Sequence, residues 1–507
     1  MIAAALLFSA CGSDGDDERS TDRAAATDDD AVDVFDTSVL HEVSMTFDQE
    51  DYDAMIETFS ETGEKDWIEV TVTIDGVAYE QAGARLKGNS SLAGLGGGVG
   101  PGRGFGDVPG GDADDTTDER ADGTPTTEDG TGGGLANGRP GGPSGSADAE
   151  SPEDLPWLIR LDEFVDGQDH QGYEDLVVRS NGSETSLNEA VALDLLEEAG
   201  LASQEAVSSS FTVNGSEPAL RLIIEHPDDD AWYEDAFDGA GALYKAESTG
   251  DWSYRGDDPA DYEDVFDQEG GSDVTDLTPL IDFLQFVDES DDETFAAELP
   301  ERLDVEAFAT YLAMMDLTGN FDDIDGPGNN AYLWYDAETE RFTVVPWDMN
   351  LAFGGLGFGF GGEDGPPGFP GGGGPPTDGS LPEGFDPEDL PDGFEPPEGV
   401  DPGELPEGFE PPEGFDPGQL PGGEGGGPGA GFGRSNPLVE RFRDTPELDE
   451  LYQQALTDLR ASLYDSGVAD QILEARVDTL NEHATDLVDA EVIASEAESV
   501  AATFRAG

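Results

Sequence analysis

Apolar and polar residues alternate over 43–47, Ile68–Ile74 and Val77–Leu86, the period of a half-buried strand. Between the first two runs, Tyr52, Met55, Ile56 and Phe59 recur at helical spacing, so 49–59 reads as a short helix. Asp75-Gly76 joins the second and third runs and signals a type I′ hairpin turn. Residues 157–161 and 175–179 form short apolar runs of buried-strand type. Ala206–Val213 and 219–225 flank Asn214-Gly215, a second hairpin signal. Helices are predicted at 277–287, 291–299 and 305–317, the last with Phe308, Leu312 and Met315 on one core-facing side. Strands Ala331–Asp336 and Arg341–Pro346 follow, joined by a turn at 337–340. From 437 to 506 the pattern is helical again: Leu448, Leu451, Tyr452, Ala455, Leu459 and Leu463 form one stripe, and Ile472, Leu473, Val477, Leu480 and Leu487 a second.

Two segments carry no such period. Residues 92–156 are rich in Gly, Asp, Pro and Thr, and 355–435 in Gly, Pro and acids. Neither has the apolar content to bury a core, so both are expected to be disordered insertions. The second contains a 15-residue repeat starting at Asp386 and Asp401, with a fragment at Asp416. That is too few copies for a solenoid, which needs about three, and it reads as an extended acidic arm. The patterned parts then group as 41–91 with 157–354, and a helical part at 436–507. Residues 12–40 are expected to be a disordered acidic tether.

Composition changes the picture in three ways. Asp and Glu number 117 against 21 Lys and Arg, a formal charge of −96 over 507 residues. Such a charge repels itself in dilute buffer, and molar salt, with a screening length of about 3 Å, removes most of that penalty. The patterned segments are acidic too, which points to a halophilic or salt-tolerant setting. The same charge disfavours binding to nucleic acid or an anionic membrane by charge attraction. Lysine occurs only at Lys65, Lys87 and Lys245. Finally, an apolar run at 2–8 leads to Phe8-Ser-Ala-Cys11, with the only cysteine. The run is too short to span a bilayer and reads as a signal segment of residues 1–11 ending in a lipobox-like string. Cys11 is expected to carry a lipid anchoring an exported protein to the outer face of the membrane. A lone cysteine allows no internal disulfide. Four scattered His and no glycine fingerprint leave serine-protease, zinc and dinucleotide readings without support.

The candidate chemistry lies at 316–354: a helix end, a loop rich in Asp and Asn, then two strands with Asp348 at their exit. Hard oxygen donors gathered beside a tight hairpin suit Mg²⁺. Phosphoryl-transfer sites use one Asp to orient the acceptor hydroxyl, and another Asp with an Asn to hold metal. Gly319-Asn-Phe-Asp322, Asn329-Asn-Ala-Tyr-Leu333 and Pro346-Trp-Asp-Met-Asn-Leu-Ala-Phe-Gly354 resemble the CotH family, atypical kinases of the spore-coat-protein-H type. So do Arg85-Leu-Lys-Gly-Asn-Ser-Ser91, Leu243-Tyr-Lys245 and the hairpin ending in Glu225, although Pro218-Ala-Leu replaces the family's Gly-Leu-Tyr.

The resemblance implies an α+β, protein-kinase-like two-lobe fold, with β-hairpins in the N-terminal half and a helical C-terminal half. It also implies an atypical kinase moving the ATP γ-phosphate to Ser or Thr of surface or coat proteins. Asp322 is then the catalytic Asp, with Asp323 and Asp325 as rivals. Asp348 and Asn330 hold Mg²⁺, and Arg85, Lys87, Asn89, Ser90, Glu225 and Lys245 surround ATP. Glu189 has two readings: the glutamate that closes a Ser-x-x-Glu capping box, which the spacing favours, or a helix glutamate paired with a basic strand residue. The competing functional class is a non-catalytic envelope lipoprotein in which Asp322 and Asp348 bind a structural cation.

Overall fold

The computed structural model describes residues 32–88, 90–95, 147–237, 239–247, 250–271, 277–326, 329–354 and 436–505. The chain is α+β. Strands β1 (His41–Phe47), β2 (Ile68–Ile74), β3 (Val77–Leu86), β4 (Trp157–Arg160), β5 (Asp175–Val178), β6 (Ala206–Val213) and β7 (Ala219–Ile224) form one sheet. Its order is β1-β2-β3-β4-β5-β7-β6, and parallel pairing of β6 with β1 closes it into a barrel. The two hairpin turns carry the backbone their residues favour: φ is 48° and 86° at Asp75 and Gly76, and 49° and 76° at Asn214 and Gly215.

Alternation sorts the barrel's side chains into two cores. Met45, Val72, Ala84, Trp157, Val178 and Phe211 fill the interior, where Tyr52, Met55 and Phe59 of helix α1 (Gln49–Thr62) join them. Leu158, Val177, Leu222 and Ile224 point outward and belong to a larger core. That core also holds a second sheet of β8 (Gly241–Ala246), β9 (Phe266–Gly270), β10 (Ala331–Asp336) and β11 (Arg341–Pro346), in the order β11-β10-β8-β9. Helices pack around it: α2 (Leu187–Glu198), α3 (Asp230–Ala236), α4 (Thr278–Glu289), α5 (Asp292–Glu298), α6 (Val305–Thr318), α7 (Pro437–Asp444), α8 (Pro446–Leu459), α9 (Val468–His483) and α10 (Ala490–Arg505). The outer face of β4, β5 and β7 is therefore the seam between barrel and helical body.

Three expectations change. The β-hairpins of the N-terminal half close into a seven-stranded barrel in place of an open kinase-like lobe, and a second sheet runs into the helical C-terminal half. The expected tether, 12–40, includes Val34 and Phe35, which are buried in the barrel core; their backbone is held by Gln171, whose Oε1 accepts from Val34 N at 3.1 Å. The expected insertion, 92–156, includes buried Leu92 and Leu155. There Ala149 O accepts from the Tyr52 hydroxyl at 2.9 Å and Pro152 O from Trp157 Nε1 at 2.9 Å. In both places a few apolar side chains within a polar stretch suffice to fasten it. Residues 96–146, 355–435 and Cys11 lie outside the described residues. Among the described residues no helix is long and apolar enough to cross a membrane.

Candidate functional site

The register of β10 and β11 sets one end of the site. Ala331 faces Pro346, so Asn329 and Asn330 enter the hairpin where Trp347 and Asp348 leave it. Four non-glycine residues around this place adopt left-handed backbone: Ser186 (φ 52°), Asn329 (56°), Asp348 (61°) and Phe353 (56°). Each costs about 1 kcal/mol or more and persists only where its surroundings over-determine it. The contacts that do so are visible. The Asn329 amide donates to Glu247 O and Gly250 O, both at 3.2 Å, and accepts from Trp252 Nε1 at 3.2 Å. On α2, Asn188 Nδ2 donates to Asn350 O at 2.6 Å and to Ala352 O at 3.3 Å.

Asp348 does not stand open. Its Oδ1 accepts from Arg179 Nη2, and Arg179 Nε lies 2.9 Å from Glu189 Oε1. One guanidinium at the end of β5 thus bridges α2 and the exit of β11. Burial alone would lower the Arg179 pKa, but Asp348 and Glu189 hold it above the ordinary value. Glu189 is almost fully buried, and burial raises its pKa although Arg179 opposes this, with Asp348 adding to the rise. The capping-box reading of Glu189 therefore gives way to the paired reading: Ser186 makes no side-chain cap bond, and the glutamate turns inward to the arginine.

Beside this row lies a chain of buried charges. Lys87, at the end of β3 and 5% exposed, places Nζ 2.9 Å from His226 Nε2. His226 Nδ1 is 2.9 Å from Asp175 Oδ2, and Nε2 is 3.0 Å from Asp228 Oδ2. Arg160 donates twice to Asp175, at 2.8 and 2.9 Å. Burial would raise the Asp175 pKa, yet Arg160 and His226 bring it down to about 2. Burial would raise Asp228 as well; His226, Lys87 and Lys245 pull it well below the carboxylate range. Lys245 Nζ, on β8, is 3.6 Å from Glu247 Oε1. Trp347 joins the two groups, its ring 6.1 Å from His226, 6.0 Å from Lys87 Nζ and 5.6 Å from Tyr332.

Asp322 sits in a loop stopped by Gly319, the left-handed end of α6 (φ 64°). Asn330 Nδ2 donates to Asp322 O at 3.0 Å, tying the loop to the hairpin entrance. Gly326 lets the loop fold back: a Cβ there would lie 2.4 Å from Phe321 O and 2.8 Å from Asp322 Cα. Asp325 Oδ1 accepts from Asn436 N at 2.6 Å, fastening the loop to α7. Burial lifts the Asp323 carboxyl to about 7.

The structure thus brings Lys87, Lys245 and Trp347 together, and Asn330 with Asp322. It places others apart. Arg85 stacks over Trp67 at 4.8 Å, with Arg160 on the same ring at 5.3 Å. Glu225 accepts from Glu205 N at 2.7 Å, and burial raises its pKa to about 7; its partners lie on the barrel side. Asn89 and the side chain of Ser90 lie outside the described residues. Sequence reasoning passed over Arg179, Asp175, His226, Asp228 and Glu247. Arg179 was legible as the cation that ends the predicted strand 175–179, whereas Asp228 was hidden in the run Asp228-Asp-Asp230.

The residues fit a divalent cation in their donor chemistry. Asp228 Oδ1 and Glu247 Oε1 are buried acceptors with no hydrogen-bond partner, and Asn330, donating through nitrogen, keeps its amide oxygen as an acceptor. Among the described residues no three His, Cys, Asp or Glu side chains form a ready-made metal cluster. No curated protein matches the chain. The model of the family described as CotH kinase protein matches residues 145–375, from before β4 to beyond Asp348, so this segment of the chain is similar to the CotH kinase family.

Proposed function

We infer that the protein is an ATP- and Mg²⁺-dependent kinase that phosphorylates Ser or Thr of surface or coat proteins. The barrel serves as the upper lobe and the helical body as the lower one of a two-lobe kinase arrangement. The observation that carries this is the Glu189–Arg179–Asp348 row beside the Asn330–Asp322 tie. In chain order these are a basic strand residue, a buried helix glutamate, a loop Asp, an Asn and a strand-exit Asp, the order phosphoryl-transfer enzymes use.

Asp322 orients the acceptor hydroxyl and takes its proton as oxygen attacks the γ-phosphorus and the bond to ADP breaks. Asp348 and Asn330 would hold Mg²⁺, which when bound would neutralise phosphate charge. Lys87 and Lys245 face the phosphates, Lys87 kept in place by His226. Arg85 acts from one step behind, through Trp67 and Arg160. Export, the lipid on Cys11 and a high-salt setting belong to the same proposal.

One observation favours a second reading, a non-catalytic envelope lipoprotein: the Asp348 carboxylate is already engaged by Arg179. Incubation of the purified chain with γ-labelled ATP and Mg²⁺ separates the two. The kinase reading expects incorporation that falls at least about 100-fold in Asp322→Ala and Asp348→Ala. Cation-dependent melting with no effect of nucleotide would leave the structural reading standing.

A further inference from the structure

Helix α2 carries Glu189 and Asn188, so whatever fixes its start fixes the site. Its own residues do not. Ser186 has no side-chain cap bond and its Oγ is buried without a partner. The carboxylate at this helix end comes instead from α10. Glu496 Oε1 accepts from Glu184 N at 2.9 Å, while Oε2 accepts from Ser183 Oγ at 2.8 Å, from Thr185 N at 3.1 Å and from the Thr185 hydroxyl. The two hydroxyls then accept in turn: Ser183 Oγ from Ser186 N at 3.1 Å, and Thr185 Oγ1 from Leu187 N at 3.2 Å. One carboxylate thus organises a two-layer cap over the first turn, where a negative charge is favoured by the helix dipole.

The far end of α10 grips the other side of the site. Phe504 packs edge-on against Phe353 at 5.5 Å and at a tilt against Tyr464 at 4.9 Å. Phe353, itself left-handed (φ 56°), belongs to the short turn after Asp348, which Asn188 of α2 also holds. The same helix therefore touches both elements that Arg179 bridges.

We propose, resting on the kinase reading, that Glu496 is a positioning residue of the phosphotransfer site, and that α10, outside the residues matched by the family model, is a clamp that holds α2 and the Asp348 segment in register. Glu496 is not a catalytic residue; it acts through α2.

The test compares the full chain with Glu496→Gln and, as a control on the same helix, Glu498→Gln, whose ion-pair partner among the described residues is Arg505. Amide hydrogen exchange should accelerate at least about tenfold in Glu496→Gln both at 184–188 and at 348–353, as expected for loss of one charge-assisted hydrogen bond, with the barrel unchanged. ATP–Mg²⁺ affinity, by calorimetry below the melting temperature, should weaken about tenfold. Thr185→Val, which removes one hydroxyl of the relay, should move both readouts in the same direction and serves if Glu496→Gln does not fold. Faster exchange confined to 184–188, or a lower melting temperature with unchanged exchange at 348–353, overturns the clamp. Failure of the unaltered chain to bind ATP–Mg²⁺ would sink the kinase reading instead, while exchange at 348–353 still decides whether α10 couples the two segments.

Discussion

Arg179→Met is the sharpest single perturbation, because it keeps the side chain's length and removes its charge between two carboxylates. Glu189 is 3% exposed and Asp348 25%. Breaking a buried ion pair by removing one partner costs about 3–5 kcal/mol, since the remaining charge is stranded in a poorly solvated place. Asp348 can be rehydrated through its open quarter, so most of the loss falls on Glu189. Its folded pKa already lies above the ordinary value, and Arg179 is the group that opposes the rise. Without the arginine the rise is larger. A carboxyl whose folded pKa exceeds its unfolded one favours folding least at pH above both and recovers as protonation neutralises it.

The variant should therefore lose about 3–5 kcal/mol at pH 8, and at pH 5 the loss should shrink by at least about 1.4 kcal/mol, the free energy of a tenfold change in proton affinity. Urea unfolding of the unaltered chain and the variant at both pH values, in 1 M KCl, gives the difference directly, and other titrating groups cancel in it. Exposed charges are screened over about 3 Å at that ionic strength, buried ones far less. In a Glu189→Gln background the arginine's removal should cost clearly less. A loss under about 1 kcal/mol at pH 8, or the same loss at both pH values, would refute the description of Arg179 as the bridge of this site.

Other predictions follow from the loop and from the charge. Gly326→Ala must displace backbone, since its Cβ would meet Phe321 O at 2.4 Å and Asp323 N at 2.7 Å; phosphotransfer should fall at least about tenfold, and an unchanged rate would show that Asp322 does not depend on this turn. Asp323, lifted by burial to about 7, binds its proton more tightly in the folded state, so it lowers stability as pH rises from about 4 through 7; Asp323→Asn should flatten that decline and stabilise the protein at pH 8 by up to a few kcal/mol in urea titrations. With a formal charge of −96, the melting temperature should climb steadily between 0.1 and 2 M KCl, and a flat profile would remove the halophilic reading.

How much of this was legible in the sequence depended on whether the signal was local. The Asp75-Gly76 and Asn214-Gly215 turns and the β10–β11 hairpin are set by residues within a few positions, and their strands follow. Barrel closure is not local: β1 pairs with β6, joining Val43 to Phe211, and nothing in either run names its neighbour. Glu189 shows the same limit at the site. Ser-x-x-Glu is a local cap pattern, but a partner ten residues back, Arg179, and a carboxylate from α10 displaced it. A charged side chain follows the strongest buried counter-charge, and only the assembled fold decides which that is.

Charge itself bears on the choice between catalysis and a structural cation. Over the whole chain acids outnumber bases 117 to 21. At the seam Lys87, Arg160, Arg179 and Lys245 stand against Asp175, Glu189, Asp228, Glu247 and Asp348, four against five. Two of the three lysines are spent there. A site meant only for a divalent ion gains nothing from buried cations, which compete with the ion for the carboxylates. An anion carrying its own metal needs both signs: carboxylate oxygens for the metal, and ammonium or guanidinium groups to counter phosphate in a molecule that otherwise repels it. A seam so nearly balanced inside so acidic a protein is what the proposed binding of a nucleoside triphosphate needs. Lys87→Met should show this by weakening ATP–Mg²⁺ binding at least about tenfold, while Lys65→Met leaves it unchanged.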